Sequence, residues 1–110
     1  MTYVPAQGDI VIMTLDPQIG HEQKGRRPVL VVSSQEFSMR TGLVMICPIT
    51  NTLRGYPTHV SLDNRTKTTG VIMCEQNKSL DYKGRHAVYV ETAPDDIVDL
   101  SIDILIAFMQ

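Results

Sequence analysis

The run Leu43-Val44-Met45-Ile46-Cys47-Pro48 is a short and almost continuously apolar stretch, which is typical of a buried β-strand. Between most runs of this kind the chain is too short to hold a helix, which disfavours a parallel sheet. The sequence therefore predicts a mostly-β fold, either an antiparallel barrel or a sandwich. The five other strand-like runs, bounded by Gly, Pro, Asn and Asp, lie at 10–15, 29–33, 58–62, 70–75 and 87–91.

The length and composition indicate which class of protein this is. The chain has 110 residues, 43% of them hydrophobic and 20% charged, as expected of one globular domain over residues 1–110. No apolar run approaches the roughly 18 residues of a membrane span, and the first residues lack the order of a signal peptide, so we expect a cytoplasmic protein without membrane contact. Cys47 and Cys74 each lie in an apolar stretch and are expected to be buried, reduced thiols.

Two helices are predicted. The stretch Ser33-Ser34-Gln35-Glu36 resembles a capping box that opens a short helix, and Gly42 is placed to end it. A longer helix should begin after Thr92, with Pro94 in its first turn, and continue to about Phe108. Its apolar residues spread over roughly 200° of the circumference, more than one sheet covers, which indicates either a subunit interface or a groove. Homodimerisation is favoured over a fully intramolecular explanation. One face, expected in solvent, carries Asp96, Asp99 and Asp103.

The net charge of −2 conceals an asymmetry. Residues 1–90 hold all ten Lys and Arg with seven acids, whereas residues 91–110 hold five acids and no base. The mildly basic body and the acidic end are therefore expected to face different surroundings.

The densest polar segment is Asp16-Pro17-Gln18-Ile19-Gly20-His21-Glu22-Gln23-Lys24-Gly25-Arg26-Arg27-Pro28. Pro28 favours an extended conformation at Arg27, which would hold this side chain at a rigid edge. Cations beside a carboxylate and an imidazole suit phosphodiester cleavage by a ribose hydroxyl, which needs a base, an acid and positive charge on the phosphorane. A solvated charged loop is the alternative.

Two further polar stretches follow predicted strands. Thr50 could present its hydroxyl to a phosphate, or its side chain could close the strand in an ST-turn. In 75–79, Glu75 and Gln76 could read base edges and Lys78 could bind phosphate, although a polar loop needs no such purpose. Metal catalysis is weakly supported, because the three histidines are far apart in sequence and no His or Cys pair has ligand spacing.

Several ordered motifs closely resemble the MazF/PemK/Kid toxins of bacterial toxin–antitoxin systems. Together they span most of the chain and are far more specific than any one alone. They are Gly8-Asp9-Ile10-Val11, Asp16-Pro17, Gly20-His21-Glu22-Gln23, Gly25, Arg27-Pro28-Val29, Pro48-Ile49-Thr50, Gly55-Tyr56-Pro57, Thr69-Gly70-Val71 and Glu75-Gln76.

The resemblance implies a small SH3-like antiparallel β-barrel with a C-terminal α-helix. It also implies a homodimeric, metal-independent and sequence-selective endoribonuclease without a cofactor, which cleaves single-stranded RNA to 2′,3′-cyclic phosphate and 5′-hydroxyl ends. The implied partner is a MazE/PemI-like antitoxin, with binding to operator DNA expected only of the toxin–antitoxin complex.

By the same resemblance Arg27 and Thr50 match the catalytic arginine and threonine, Glu22 the neighbouring glutamate, and His21 a proposed catalytic histidine. Met73 replaces an arginine of Kid-like members and Glu75 an aspartate, so the choice of general acid and base stays open. Arg26 replaces a histidine found in some MazF members. The candidate RNA-contacting side chains are Gln23, Lys24, Arg26, Arg54, Glu75, Gln76 and Lys78.

Two other functions compete with cleavage. The same barrel in CcdB toxins poisons DNA gyrase through its surface, although that branch does not use the 20–27 loop for chemistry. A catalytically weak module that binds RNA or antitoxin is the second alternative, because Met73 stands in place of the arginine.

Overall fold

The computed structural model describes residues 3–15 and 26–110, which form an antiparallel sheet with two α-helices and one 3-10 turn. The two α-helices are α1 (Gln35–Thr41) and α2 (Asp95–Ala107), and the 3-10 turn is Cys74–Gln76. The seven strands are β1 (Asp9–Thr14), β2 (Arg26–Val31), β3 (Leu43–Thr50), β4 (His59–Ser61), β5 (Val71–Met73), β6 (Lys78–Asp81) and β7 (Val88–Thr92).

β3 is the longest strand and organises the sheet, whose order is β4-β5-β3-β2-β1-β7. One edge of β3 pairs with β2, and its other edge pairs with β6 at its start and with β5 at its end. The predicted mostly-β antiparallel fold with a C-terminal helix is confirmed. Across the described ranges the strand path is open rather than fully closed, with β4 and β7 at its ends.

The central strands β1, β2 and β3 are buried on both faces along most of their length, which explains the unbroken apolar run in β3. Alternate residues of β2 and β3 enter two clusters, so Leu30 and Cys47 pack in one and Val29 and Ile46 in the other. The first cluster also includes the buried side of α2, and the second includes Tyr82. Cys47 and Cys74 are free and buried, as predicted.

α2 covers the first cluster with Ile97, Val98 and Leu105, but it carries more apolar surface than this chain's sheet covers. Its exposed apolar side chains are Leu100 and Ile106, followed by Phe108 and Met109 just beyond its end. The three aspartates predicted to face solvent are exposed. Asp96 also accepts hydrogen bonds from Arg65 at 2.9 and 3.0 Å, which ties the 63–66 turn to the start of α2.

Three local features differ from the sequence expectations. β6 has no counterpart among the predicted strands, because only Leu80 of its four residues is buried. The run predicted at 70–75 ends as a strand at Met73 and continues as the 3-10 turn. The cap of α1 is Ser34, which accepts a hydrogen bond from Phe37 N–H, while Ser33 accepts one from Met45 N–H.

None of the helices in the described part of the chain has the length and apolar character needed to cross a membrane.

Candidate functional site

A row of residues crosses four strands at the end of β3. Thr50 pairs with Val71 of β5, and Val71 pairs with Ser61 of β4. On the other edge of β3 the paired residues end at Val29 with Pro48, and continuing that register by two residues reaches Arg27 opposite Thr50. Opposed residues of antiparallel strands project to the same side. These four residues therefore define one surface, here called the site face.

Arg27 is held by a strand rather than by a loop. It is half-buried in β2, pairs with Met13 of β1, and is followed by Pro28, which favours extended backbone at the preceding residue. Within the described residues its guanidinium makes no hydrogen bond or ion pair. Its five N–H donors are therefore not taken up by that part of the chain.

Thr50 is fixed by its backbone and by its own hydroxyl. Thr50 Oγ1 accepts a hydrogen bond from Thr52 N–H at 3.1 Å, which is the ST-turn considered above. A hydroxyl that accepts this bond keeps its proton for donation, so the turn and a phosphate contact are compatible. Gly70, at φ +114°, lets the chain pass close to Thr50, since a Cβ there would lie 2.3 Å from the Thr50 carbonyl oxygen.

Arg26 has a different position from its neighbour. Its guanidinium donates to Thr14 Oγ1 at 3.3 Å and to the Ile12 carbonyl at 3.2 Å, and also to the carbonyls of Arg85 and His86. All four acceptors are uncharged, so Arg26 ties the 82–87 loop to β1 and keeps its positive charge.

Glu75 lies in a compact polar cluster. Its carboxylate accepts a hydrogen bond from Thr58 Oγ1 at 2.7 Å, and its other oxygen lies 2.9 Å from His59 Nε2. Burial disfavours the charged form, but the hydrogen bonds from Thr58 and His59 outweigh it and lower the pKa of Glu75. Both carboxylate oxygens are therefore already engaged.

A cavity of about 250 Å³ lies beside this cluster and reaches the site face. The Tyr56 ring packs against the His59 ring, with centroids 5.0 Å apart. His59 Nδ1 is buried and has no hydrogen-bond partner among the residues described. The cavity is lined by Leu53, Arg54, Gly55, Tyr56, His59, Ser61 and Val71.

A family model described as "PemK-like, MazF-like toxin of type II toxin-antitoxin system" matches residues 6–107. The chain belongs to this family.

Relatives and solved structures agree with this assignment. Endoribonuclease PemK of Escherichia coli is 39% identical over 97 residues, which cover 84% of this chain and 73% of that protein. Endoribonuclease toxin MazF of Escherichia coli strain K12 is 35% identical over 107 residues, covering 94% and 96%. A crystal structure of MazF from Deinococcus radiodurans has a TM-score of 0.89 and 37% identity, covering 98% of each chain. A MazE-MazF structure from the same organism has the same TM-score and identity, covering 98% of this chain and 97% of that one.

The candidate residues of this MazF-like chain fall into separate groups. Arg27 and Thr50 lie together on the site face, and Arg54 lines the cavity next to it. Lys78 is exposed and pairs with Ile46, four residues or about 13 Å along β3 from Thr50. Gln76 is exposed in the 3-10 turn. The remaining candidates, which lie outside the described residues, are His21, Glu22, Gln23 and Lys24.

Sequence reasoning missed the environment of His59, which it considered only as an isolated histidine. The available signal was the hairpin pairing of the runs at 58–62 and 70–75. With His59 opposite Met73, that pairing brings the imidazole within reach of Glu75 two residues later.

Proposed function

We propose that this MazF-like chain is an endoribonuclease toxin that cleaves single-stranded RNA and so blocks translation. The observation that carries the proposal is the β2–β3 register, whose continuation by two residues beyond Val29 and Pro48 brings Arg27 opposite Thr50. A guanidinium and a hydroxyl at one strand end suit a phosphate group, and relatives covering most of the chain are named endoribonucleases. We place its action in the cytoplasm, where its proposed substrate is translated.

The proposed reaction is an internal transfer at phosphorus. The ribose 2′-oxygen attacks the adjacent phosphate, its proton passes to a base, and the P–O5′ bond breaks as an acid protonates O5′. The products are a 2′,3′-cyclic phosphate and a 5′-hydroxyl. Glu22 and His21 are the proposed proton-transfer groups, and which of them is the base is left open.

Arg27 and Thr50 then stabilise the charge that develops at phosphorus. Arg27 can donate two parallel N–H bonds to nonbridging oxygens, and the Thr50 hydroxyl can donate one more. Every proton in this scheme moves between side chains and RNA, so we propose that neither a metal nor another cofactor is required.

RNA is proposed to follow the cations around this face. Lys78 and Arg54 are exposed and would contact phosphates, together with Lys24 and Gln23. Gln76 is exposed and remains a candidate for base contact. Arg26 would contribute charge rather than hydrogen bonds, since its donors already bind carbonyls.

A MazE/PemI-like antitoxin is the proposed inhibitor, because a Deinococcus radiodurans relative is known as a MazE-MazF structure. We also propose a homodimer, in which a second copy covers the apolar residues that α2 and β7 leave exposed, such as Leu100, Ile106, Val88 and Tyr89. Operator DNA binding is assigned only to the toxin–antitoxin complex.

One experiment tests the proposal. The purified protein is incubated with a long unstructured RNA in EDTA, and the cut sites and end groups are mapped. We expect discrete cuts with 2′,3′-cyclic phosphate and 5′-hydroxyl ends, and none with Arg27→Ala. Intact RNA, or 3′-hydroxyl with 5′-phosphate ends, would contradict it.

A further inference from the structure

The register of the β3–β5 pair brings the two cysteines of the chain together. These strands are antiparallel, and Ile49 pairs with Ile72. Continuing that register by two residues brings Cys47 of β3 opposite Cys74, the residue that follows β5. Cys74 also continues the β4–β5 register, since its N–H donates to the Thr58 carbonyl at 3.2 Å. Cys74 therefore keeps its place beside β3 although the 3-10 turn begins there.

The two side chains enter the same core cluster. Both thiols are free and 0% exposed, and they share a hydrogen bond. Directly opposed residues of an antiparallel pair have Cβ atoms about 4.5–5.5 Å apart, and a disulfide needs about 3.5–4.5 Å. A small approach of the two segments is therefore enough to join the sulfur atoms of Cys47 and Cys74.

The two thiols differ in reactivity. The hydrogen bond from the Cys47 thiol lowers the pKa of Cys74, and the same bond together with burial raises the pKa of Cys47. Cys74 Sγ also lies 3.9 Å from the Ser101 carbonyl oxygen of α2. The thiolate is the nucleophilic form of cysteine, so Cys74 is the thiol of the pair that reacts first.

We propose that Cys47 and Cys74 form an oxidation site that takes a hydroperoxide and closes to an intramolecular disulfide. Since both thiols are fully buried, the oxidant must be small, and hydrogen peroxide is little larger than water. Cytoplasmic thiols are kept reduced, so the dithiol is the resting form and the disulfide forms during exposure to peroxide. The proposal does not depend on RNA cleavage, because neither cysteine takes part in the proposed reaction at phosphorus.

The oxidation proceeds in two steps. The Cys74 sulfur attacks one oxygen of hydrogen peroxide and the O–O bond breaks, which leaves a sulfenic acid and, with the thiol proton, one water. The Cys47 sulfur then attacks the sulfenic sulfur and the S–O bond breaks, and the departing hydroxide leaves with the Cys47 proton as the second water. Two thiols are oxidised to one disulfide, and one peroxide is reduced to two waters.

The disulfide would join two segments that carry candidate site residues. Cys47 lies three residues before Thr50 in β3, and Cys74 directly precedes Glu75. Side chains alternate along a strand, so Cys47 faces the first core cluster, whereas Thr50 lies on the side of Ile46, which faces the second. The cross-link therefore forms behind the site face and should stabilise the fold without displacing Thr50.

Peptide mapping tests whether the disulfide forms. The reduced full-length protein is treated with hydrogen peroxide, alkylated in denaturant, digested and analysed by mass spectrometry. Mapping is needed because peroxide also adds oxygen to exposed methionines such as Met39 and Met109. We expect one disulfide-linked pair of peptides that joins Cys47 to Cys74, with both thiols lost together, and dithiothreitol should restore both.

Thermal unfolding measures the effect of the cross-link. The disulfide would close the loop from residue 47 to residue 74, so the unfolding midpoint of the wild type should rise by about 10 °C after peroxide and return after dithiothreitol. Cys47→Val is the matched control, because it retains every methionine and an apolar core side chain but leaves Cys74 without a partner. Its midpoint should not rise. Cys74→Ala removes the other thiol and should behave in the same way.

Several results would overturn the proposal. They are two unmodified thiols after peroxide treatment, cysteines that gain oxygen without pairing, disulfides only between molecules, and an unchanged midpoint in a fully cross-linked protein. Cleavage of a fixed RNA is compared in both forms, and the oxidised wild type should keep the rate of the reduced protein. A loss of rate that dithiothreitol reverses would contradict a cross-link that leaves Thr50 in place.

Discussion

The β2–β3 register pairs Val29 with Pro48, and its continuation by two residues brings Arg27 opposite Thr50. The pairing depends on two strands whose apolar residues are buried in both core clusters. The relative position of the guanidinium and the hydroxyl is therefore set by the core of the protein.

The first prediction concerns these two side chains. Arg27→Ala and Thr50→Ala should each lower the cleavage rate by about 10²–10³, the usual cost of removing one group that stabilises transition-state charge. Arg27→Lys should also lose most of the cleavage rate, because lysine keeps the positive charge but cannot donate two parallel hydrogen bonds. Initial rates on a fixed RNA measure the effect, and thermal unfolding serves as the control for folding. Wild-type turnover in Arg27→Ala would refute the mechanism.

The second prediction concerns the nucleophile and metals. Cleavage should continue in EDTA, because the proposed proton transfers use side chains. A substrate with one deoxyribose immediately 5′ of the scissile phosphate should bind and stay intact. Binding and cleavage are measured on the same labelled oligonucleotide. A strict Mg²⁺ requirement, or cutting of the deoxy substrate, would indicate attack by water instead.

The third prediction concerns Gly70. Gly70→Ala places a Cβ against the Thr50 carbonyl at φ +114°, so it should destabilise the protein and displace Thr50. Gly42→Ala is the matched control, since this glycine also has positive φ but has open space around its Cβ position. The control should lose about 1 kcal/mol and retain activity. Denaturant unfolding and cleavage rates are measured for both, and equal losses would show that the close approach is unimportant.

The fourth prediction concerns α2. Leu105 is 7% exposed and Leu100 is 50% exposed on the same helix. Leu105→Asp should abolish folding or assembly, because it places a carboxylate in the core at a cost of several kcal/mol. Leu100→Asp should stay folded, and weakened association in this variant would map the proposed dimer contact. Circular dichroism measures folding, and light scattering measures association. A fully active Leu105→Asp dimer would contradict the described packing.

The fifth prediction concerns acid stability. The pKa of Glu75 is lowered from its ordinary value of 4.5, so the ionised form is favoured in the folded state. Its contribution is complete above the unfolded pKa and is lost as the pH falls below 4.5 through the folded pKa. Glu75→Gln should therefore flatten the pH dependence of the unfolding free energy in this acidic window. Urea unfolding at several pH values tests this, and an identical acid slope would contradict it.

Much of the fold follows from local pattern. The apolar runs that became β1, β2 and β3 are buried on both faces, so their signal is strong. The sequence did not predict β6, because Lys78, Ser79 and Asp81 are exposed and Leu80 is its single buried residue. Such a strand cannot be recognised from its own residues, because it is defined by its pairing with β3.

The site divides in the same way. Contiguous motifs make Arg27 and Thr50 candidate residues, and the continued β2–β3 register brings the two to one face of the sheet. The contact of His59 with Glu75 joins residues 16 positions apart and depends on which strands are neighbours. The same is true of Arg65 and Asp96, since helical periodicity placed Asp96 in solvent but could not show its partner.

Arg26 and Arg27 are consecutive, yet the alternation of side chains along β2 sends them to opposite sides of the sheet. A slip of one residue in the β2 register would exchange them, placing the loop-binding Arg26 on the side of the sheet that carries Thr50 and removing Arg27 from it. Val29 and Val31 in the core prevent that slip. An insertion or deletion before residue 26 would therefore leave Arg27, and not Arg26, on the side of the sheet that carries Thr50, so the choice of arginine does not depend on the length of the segment that precedes β2.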